Sequence, residues 1–464
     1  MRYSPASFRD PDARVFVDDG RVLRALSARA ADFDAELRQR GLLETFVRDG
    51  LLVENRRCED VAVPDGWAAV VESRVVPFPS YPYEWSFSML KDAALLTLTL
   101  TERALEHDVA LKDASAYNVF FDGARPVFID VSSFAPYEEG APWVAYGQFC
   151  DHFLAPLMLE AYKGVPFQPF LRGNLEGLAT GTQLAPLFSR RDWLRPGVLK
   201  HVQLRALLDR RTQGLATGTR RAVRQVRLPK ASVLHNIRRL HRLVSGLTSR
   251  SPSVWADYDR CNTYDQQLAE RKAAFVASCC ERLGGGALAW DVGANTGRYS
   301  RVAARRYETV IALDGDAGAV DLLYRELRGT DAARTIVPLV VDVMNPSPAQ
   351  GWRGAEREAL HGRRRPDLAL YLALVHHLCL GRGVPLRGFV DLVHDTSRFA
   401  IVEFVATDDP MSQALLATKL EVHAGHDIGT FRALALEHGR ILAEETLSPT
   451  RSLFLLERPT GHST

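Results

Sequence analysis

The stretch Ala287-Leu288-Ala289-Trp290-Asp291-Val292-Gly293-Ala294-Asn295-Thr296-Gly297 decides the fold of the C-terminal half of this chain. Six mostly apolar residues containing one acid run into a glycine bend, and a helical pattern, Arg298–Tyr307, follows. Strand, glycine turn and helix in that order bring backbone close to a ligand at the end of a parallel strand, because only glycine takes the left-handed bend at no steric cost. The bend differs from the dinucleotide fingerprint GxGxxG: it lacks a third glycine, and an acid precedes it. That acid repels a pyrophosphate and attracts a cation.

Two further apolar runs behave alike. Thr309–Leu313 ends in Asp314, about 20 residues after the bend, where a carboxylate can accept both hydroxyls of a ribose. Ile336–Val341 ends in Asp342, placed to accept from an adenine amino group. Three acids closing three successive strands form a socket for a cationic nucleoside. Asp367–Val375 reads as a fourth strand, Phe399–Phe404 as a fifth, and Arg440–Thr446 with Arg451–Arg458 as a closing pair around Ser448-Pro449. Alternating helices and short apolar strands over 255–464 give a doubly wound α/β domain.

This domain resembles class I S-adenosylmethionine-dependent methyltransferases, whose last strand is antiparallel. The resemblance implies S-adenosylmethionine as cofactor, with Asp291, Gly293, Asn295, Gly297, Asp314 and Asp342 around it. Trp255, Tyr258 and Tyr264 read as a helical lid entering the domain, where they either cover the cofactor's methionine end or pack in the core. Ligands of open α/β sheets lie at the carboxyl ends of the strands, so His376, His377 and Glu403 are the catalytic candidates. A histidine near neutral pKa suits removal of a proton from a hydroxyl or amine acceptor; equally, one histidine packs beneath the adenosine. Glu403 either orients a histidine or binds substrate, or else caps a neighbouring loop. No metal is expected in this domain.

More narrowly, Asp291–Gly297, Asn345-Pro346-Ser347-Pro348-Ala349 with Gly351-Trp352, Ala373–Leu378, Val402–Val405 and Asp409-Pro410-Met411 resemble bacterial methyltransferases related to the nodulation protein NoeA. So do Tyr81–Trp85 and Ser88–Asp92, which extends the resemblance over nearly the whole chain.

The N-terminal half divides into a small α+β lobe over 1–80 and a mainly helical region over 81–248. In the first, a strand pair (Val15–Val17 and Val22–Leu26) precedes a helix over Ser27–Gly41 and an apolar run, Trp67–Val76. In the second, Leu111–Val119 followed by Phe128-Ile129-Asp130 has an Asp113-x4-Asn118 spacing with a further Asp twelve residues on. The region resembles a kinase C-lobe, which implies Asp113 as a base and Asn118 and Asp130 as magnesium ligands, with magnesium-ATP bound only if that half is active. No glycine-rich nucleotide loop and no lysine-bearing strand of the kinase type are found, and 1–80 reads as too short for a complete N-lobe. The expectation is therefore a degenerate, scaffold-like pseudokinase region.

Composition bounds the rest. With 464 residues, 46% hydrophobic, the chain can bury sizeable cores. Its six cysteines show no metal-ligand spacing and fit a reducing compartment. The sequence has no long apolar run and no signal-peptide pattern, so a cytoplasmic protein is expected. Between Arg190 and Arg250 stand 16 Lys/Arg against two acids, but with Trp193 alone for stacking a nucleic-acid platform is not expected. The expected partner is a small-molecule or glycan-like acceptor, and the sequence carries no reading of oligomeric state. Three functions follow: a methyltransferase with a kinase-like acceptor scaffold, a bifunctional kinase-methyltransferase, and a non-catalytic S-adenosylmethionine-binding protein.

Overall fold

The computed structural model describes residues 2–213, 227–249, 266–417, 419 and 425–459. The chain forms two compact units. The first comprises residues 1–121, 126–251 and 349–358, and the second comprises 122–125, 252–348 and 359–464. Residues 122–125 and 349–358 thus each cluster with the unit that holds the other half of the chain. Trp255, Tyr258 and Tyr264, expected on a lid, lie outside the described residues.

In the first unit, β1 (Arg2–Tyr3), β2 (Ala13–Asp18), β3 (Arg21–Leu26), β4 (Asn55–Arg57) and β5 (Ala69–Ser73) make an antiparallel sheet in the order β1-β2-β3-β5-β4. Alternation along β2 and β3 sends Phe16, Leu23 and Ala25 to one face, where they pack with Val70 and Cys58. Between β3 and β4 runs the helix Ala28–Gln39, whose N-cap Ser27 accepts from the Ala30 amide at 3.3 Å. The expected strand pair is therefore part of a five-stranded lobe. The short β1 and β4 carry too few apolar residues for their periodicity to announce them.

The helix Phe87–Glu106, capped by Ser86, is buried along most of its length. Against it packs the helix Lys230–Ser245, which buries Val233, Ile237, Leu240 and Val244, an i, i+4, i+7, i+11 stripe. Two of its outer charges are paired: Arg238 binds Glu102 and Glu106, and Lys230 binds Asp108. Arg205 is likewise paired with Asp151 and Arg195 with Asp192. These members of the described basic stretch thus neutralise acids of their own unit. β6 (Val109–Leu111) pairs with β9 (Phe134–Pro136), and β7 (Val119–Asp122) with β8 (Arg125–Phe128) forms the hairpin that separates Asn118 from Asp130.

The second unit is built on a seven-stranded sheet: β10 (Gly286–Val292), β11 (Tyr307–Asp314), β12 (Ile336–Val340), β13 (Leu368–Tyr371), β14 (Phe399–Val405), β15 (Arg440–Ser448) and β16 (Arg451–Glu457), in the order β12-β11-β10-β13-β14-β16-β15. β10 to β14 are parallel, and β16 is antiparallel to both its neighbours. This is the doubly wound sheet with an antiparallel last strand. Strands buried on both faces read as continuous apolar runs, which is why Leu288–Trp290 and Val310–Leu313 were legible. β13 is shorter than expected: the chain leaves it at Tyr371, Ala373 takes a left-handed φ of 50°, and His376 follows. No described helix is long and apolar enough to cross a membrane.

Candidate active site

Register puts the three acids on one edge of the sheet. Val292 pairs with Leu313 and Asp314 with Val340, so Asp291, Asp314 and Asp342 close β10, β11 and β12 at neighbouring carboxyl ends. Asp291 is 2% exposed, and one of its oxygens accepts from Ser300 Oγ at 2.6 Å. Burial pushes its carboxyl up to about 6, against the Ser300 hydrogen bond and the charge of Lys272. Asp314 takes the Asn295 amide at 2.7 Å and the Asp316 amide at 2.8 Å; burial still raises its carboxyl, with Asp316 and Asp342 adding repulsion. Asp342 is exposed and takes the Met344 amide at 2.9 Å.

The bend between β10 and the next helix needs its glycines. Gly293 and Gly297 have φ of 80° and 76°, and Asn295 takes 49°. A Cβ on Gly297 would sit 2.6 Å from Leu323 Cδ1. Gly293 and Ala294 both donate their amides to the Leu313 carbonyl, at 2.8 and 3.0 Å, which folds the bend over the end of β11. Asn295 Oδ1 is buried without a hydrogen-bond partner among the described residues. An orphaned acceptor beside buried, electron-rich carboxylates fits a ligand that brings donors and positive charge.

His376 is 1% exposed, its Nδ1 has no hydrogen-bond partner among the described residues, and its ring lies 4.2 Å from that of His377. Burial, then His377 and Arg451, pull the His376 imidazole down to about 3; burial also lowers His377. Glu403 is fully buried and ion-paired with Lys272 and, at 3.2 Å, with Arg451. Arg451 in turn holds Asp409 through two hydrogen bonds of 2.7 and 2.9 Å. Lys272 also lies 4.7 Å from the Tyr299 ring centre. Two cations and two carboxylates thus alternate, and they tie the helix Gln266–Arg282 to β14 and to the start of β16. So engaged, Glu403 is suited to holding neighbours in place and not to moving a proton.

The N-terminal motif also comes together. Asp113 accepts from the Ser115 amide at 2.9 Å, and burial and the charge of Asp130 raise its carboxyl. Asn118 donates to Ser133 Oγ at 3.2 Å, and Ser133 donates to Asp130 at 2.5 Å. Asp130 is ion-paired with Arg24 from β3.

No family model matches the chain. Among curated proteins, the nodulation protein NoeA of Rhizobium meliloti strain 1021 is 33% identical over 460 residues, covering 97% of this chain and 95% of that protein. The chain belongs to the NoeA family. Solved structures align with parts of this NoeA-family chain. The N-methyltransferase NodS from Bradyrhizobium japonicum WM9 with S-adenosyl-L-homocysteine is 11% identical over 44% of this chain and 96% of its own, with a TM-score of 0.32. The bifunctional kinase-methyltransferase WbdD is 18% identical over 47% of this chain and 46% of its own, with a TM-score of 0.30. Magnesium protoporphyrin IX methyltransferase from Synechocystis PCC 6803 with bound S-adenosylmethionine is 14% identical over 46% of this chain and 87% of its own, with a TM-score of 0.29.

Three features of this NoeA-family chain escaped the sequence reading. Lys272 and Arg451 lie in no motif that marks them, although Glu403 and Asp409 of their network both fall in stretches that carry the resemblance. Arg24 lies inside the expected strand Val22–Leu26, where nothing marks its partner. Residues 349–358 read as a loop of the C-terminal domain, yet in the first unit the Trp352 and Phe8 rings stack with centres 6.5 Å apart. In the same segment Glu356 pairs with Arg9 at 3.0 Å, Arg357 lies 4.4 Å from the Tyr117 ring centre, and Gln350 donates to the Arg172 carbonyl at 2.7 Å.

Proposed function

We propose that this chain is an S-adenosylmethionine-dependent methyltransferase acting on a hydroxyl or amine of a small-molecule or glycan-like acceptor, with the N-terminal, kinase-like unit helping to hold that acceptor. One observation carries the reading: Asp291, Asp314 and Asp342 close three adjacent parallel strands beside a left-handed glycine bend. Membership of the NoeA family, and the seven-stranded sheet with its antiparallel last strand, support it.

When bound, S-adenosylmethionine supplies an electrophilic methyl group on a cationic sulfur. Asp291, fully buried and with an elevated carboxyl, gains a partner when a ligand ammonium arrives. Asp314 is held by two backbone amides in a rotamer that leaves acceptor capacity for ribose hydroxyls, and Asp342 is placed for the adenine amine. Asn295 Oδ1 is the further acceptor for a ligand donor. His376 stays neutral and presents an unprotonated imidazole, which orients an acceptor O–H or N–H by accepting its hydrogen bond. His377, less perturbed, is the better proton acceptor of the pair. Most of the rate then comes from positioning, which the ion-paired Lys272, Glu403, Arg451 and Asp409 keep rigid.

Calorimetry with S-adenosylhomocysteine on the full chain tests this. Saturable binding, weakened about tenfold or more by Asp314→Ala, is the expected result; no binding, or unchanged affinity in the variant, overturns it. Binding without transfer of labelled methyl to any bacterial oligosaccharide or lipid-linked saccharide fraction would favour a non-catalytic binding protein.

A further inference from the structure

The kinase-like spacing implies magnesium on Asn118 and Asp130, and the residues present do not fit that ion. A divalent metal there needs carboxylate oxygens that are free to leave their partners, and magnesium demands near-octahedral oxygen ligation at about 2.1 Å. Both Asp130 oxygens are taken. Oδ1 is bound by Arg24 Nη1, by the Ser132 amide at 3.0 Å and by Ser132 Oγ at 2.6 Å. Oδ2 takes Ser133 Oγ at 2.5 Å. Asn118 turns its amide nitrogen to Ser133.

Arg24 is built into the cluster. It stands on β3, between Leu23 and Ala25 of the lobe's core, and the pair is shielded, with side-chain exposures of 12% for Arg24 and 14% for Asp130. Besides Asp130, its Nη1 donates to Ser132 Oγ at 2.9 Å. Its Nε is buried with no hydrogen-bond partner among the described residues, so the guanidinium depends on this one face for its anion. Ser132 Oγ also lies 3.0 Å from Asp10, and Asp113 is close enough to Asp130 to feel its charge. Three carboxylates therefore surround a site whose positive charge comes from the protein. A metal entering there would strand a shielded guanidinium without its counter-ion, which burial of the pair makes strongly unfavourable.

We infer that Arg24 is the resident cation of the Asp113–Asn118–Asp130 cluster, and that the N-terminal unit excludes divalent metal and carries out no magnesium-dependent phosphoryl transfer. The inference rests on the kinase-like reading of that motif, and is independent of the methyltransferase reading. What remains of the motif is a hydrogen-bonded, ion-paired cluster that joins β3 of the small lobe to the segment after β8, the kind of cross-link a binding scaffold needs.

Manganese ion, with and without ATP, is the probe: its electron paramagnetic resonance signal is lost on binding and needs no turnover. On the full chain, wild type and Arg24→Lys should leave free manganese unchanged to about millimolar concentration, while Arg24→Gln and Arg24→Ala should gain a site at least about tenfold tighter. That site should vanish in Arg24→Gln/Asp130→Asn. Asp130-dependent manganese-ATP binding by wild type overturns the inference, even if the variants fail to fold. A folded Arg24→Gln protein that binds no manganese overturns it as well, because the arginine would then exclude nothing. S-adenosylhomocysteine binding in the same samples reports separately on the second unit.

Discussion

Asp291 makes cofactor affinity depend on pH in a way that the structure quantifies. In the free protein its carboxyl sits at about 6, because burial outweighs Ser300 and Lys272. A ligand ammonium needs the ionised form, so binding must expel the proton wherever Asp291 carries one. Affinity for S-adenosylhomocysteine, whose amine stays charged below about pH 8, should be flat between about pH 7 and 8 and fall below about pH 6, approaching tenfold for each further unit. At about pH 5 the loss is about tenfold relative to pH 7, with nearly one proton released per ligand; at pH 7 about a tenth of a proton is released. Titration calorimetry in two buffers of different ionisation enthalpy measures affinity and proton release together. Asp291→Asn, of the same size and still able to accept from Ser300, should bind more weakly and lose the acid limb. A wild-type affinity that does not change between pH 5 and 7, or an acid limb that persists unchanged in Asp291→Asn, refutes the assignment of the ammonium to this carboxylate.

Lys272→Met should destabilise the second unit by about 3 kcal/mol, since it leaves the fully buried Glu403 with Arg451 alone, which is shared with Asp409; the double variant Lys272→Met/Glu403→Gln should recover much of that in denaturant unfolding. Gly297→Ala should cost about 1–3 kcal/mol, from a left-handed φ and a Cβ 2.6 Å from Leu323, and should lower the melting temperature by several degrees. Acid should weaken the fold through the buried histidines. His376 and His152 are held down to about 3 and about 4, so the unfolded chain takes up protons below its ordinary value of about 6.5 that the native state refuses. Stability then falls as pH drops from about 6.5 toward 4, by up to about 1.4 kcal/mol per unit for each, while Asp291, shifted upward, works in the opposite sense between about 6 and 4; His376→Asn should reduce the slope in pH-resolved thermal melts. Activity should show no limb from His376 in the physiological range, and His377→Ala should lower turnover more than cofactor affinity.

The order of strands in the second unit was readable because each parallel strand is apolar on both faces and ends in an acid or a turn. Periodicity reports which residues a strand hides, and so puts Asp291, Asp314 and Asp342 at strand ends. It says nothing of which buried charge meets which. Lys272 lies in a helix with Glu270, Arg271 and Glu281, where a lysine ordinarily faces water; its burial is decided by Glu403, 131 positions later. Arg24 was hidden for the same reason: Val22-Leu23-Arg24-Ala25-Leu26 alternates as any half-exposed strand does, and its partner Asp130 lies beyond the long helix Phe87–Glu106. Two strands of the small lobe, β1 and β4, went unread because they span only two and three residues, too short to show a period.

Residues 349–358 have a consequence for how the protein is made. A ribosome adding about 5–20 residues per second delivers them some 5–20 s after the N-terminal unit's own continuous sequence ends near residue 251. Until then, Phe8, Arg9 and Tyr117 wait without Trp352, Glu356 and Arg357, so the first part synthesised is not the first part finished. A fragment ending near residue 251 lacks this piece, so the N-terminal unit is completed only after β10, β11 and β12 of the second unit have been synthesised.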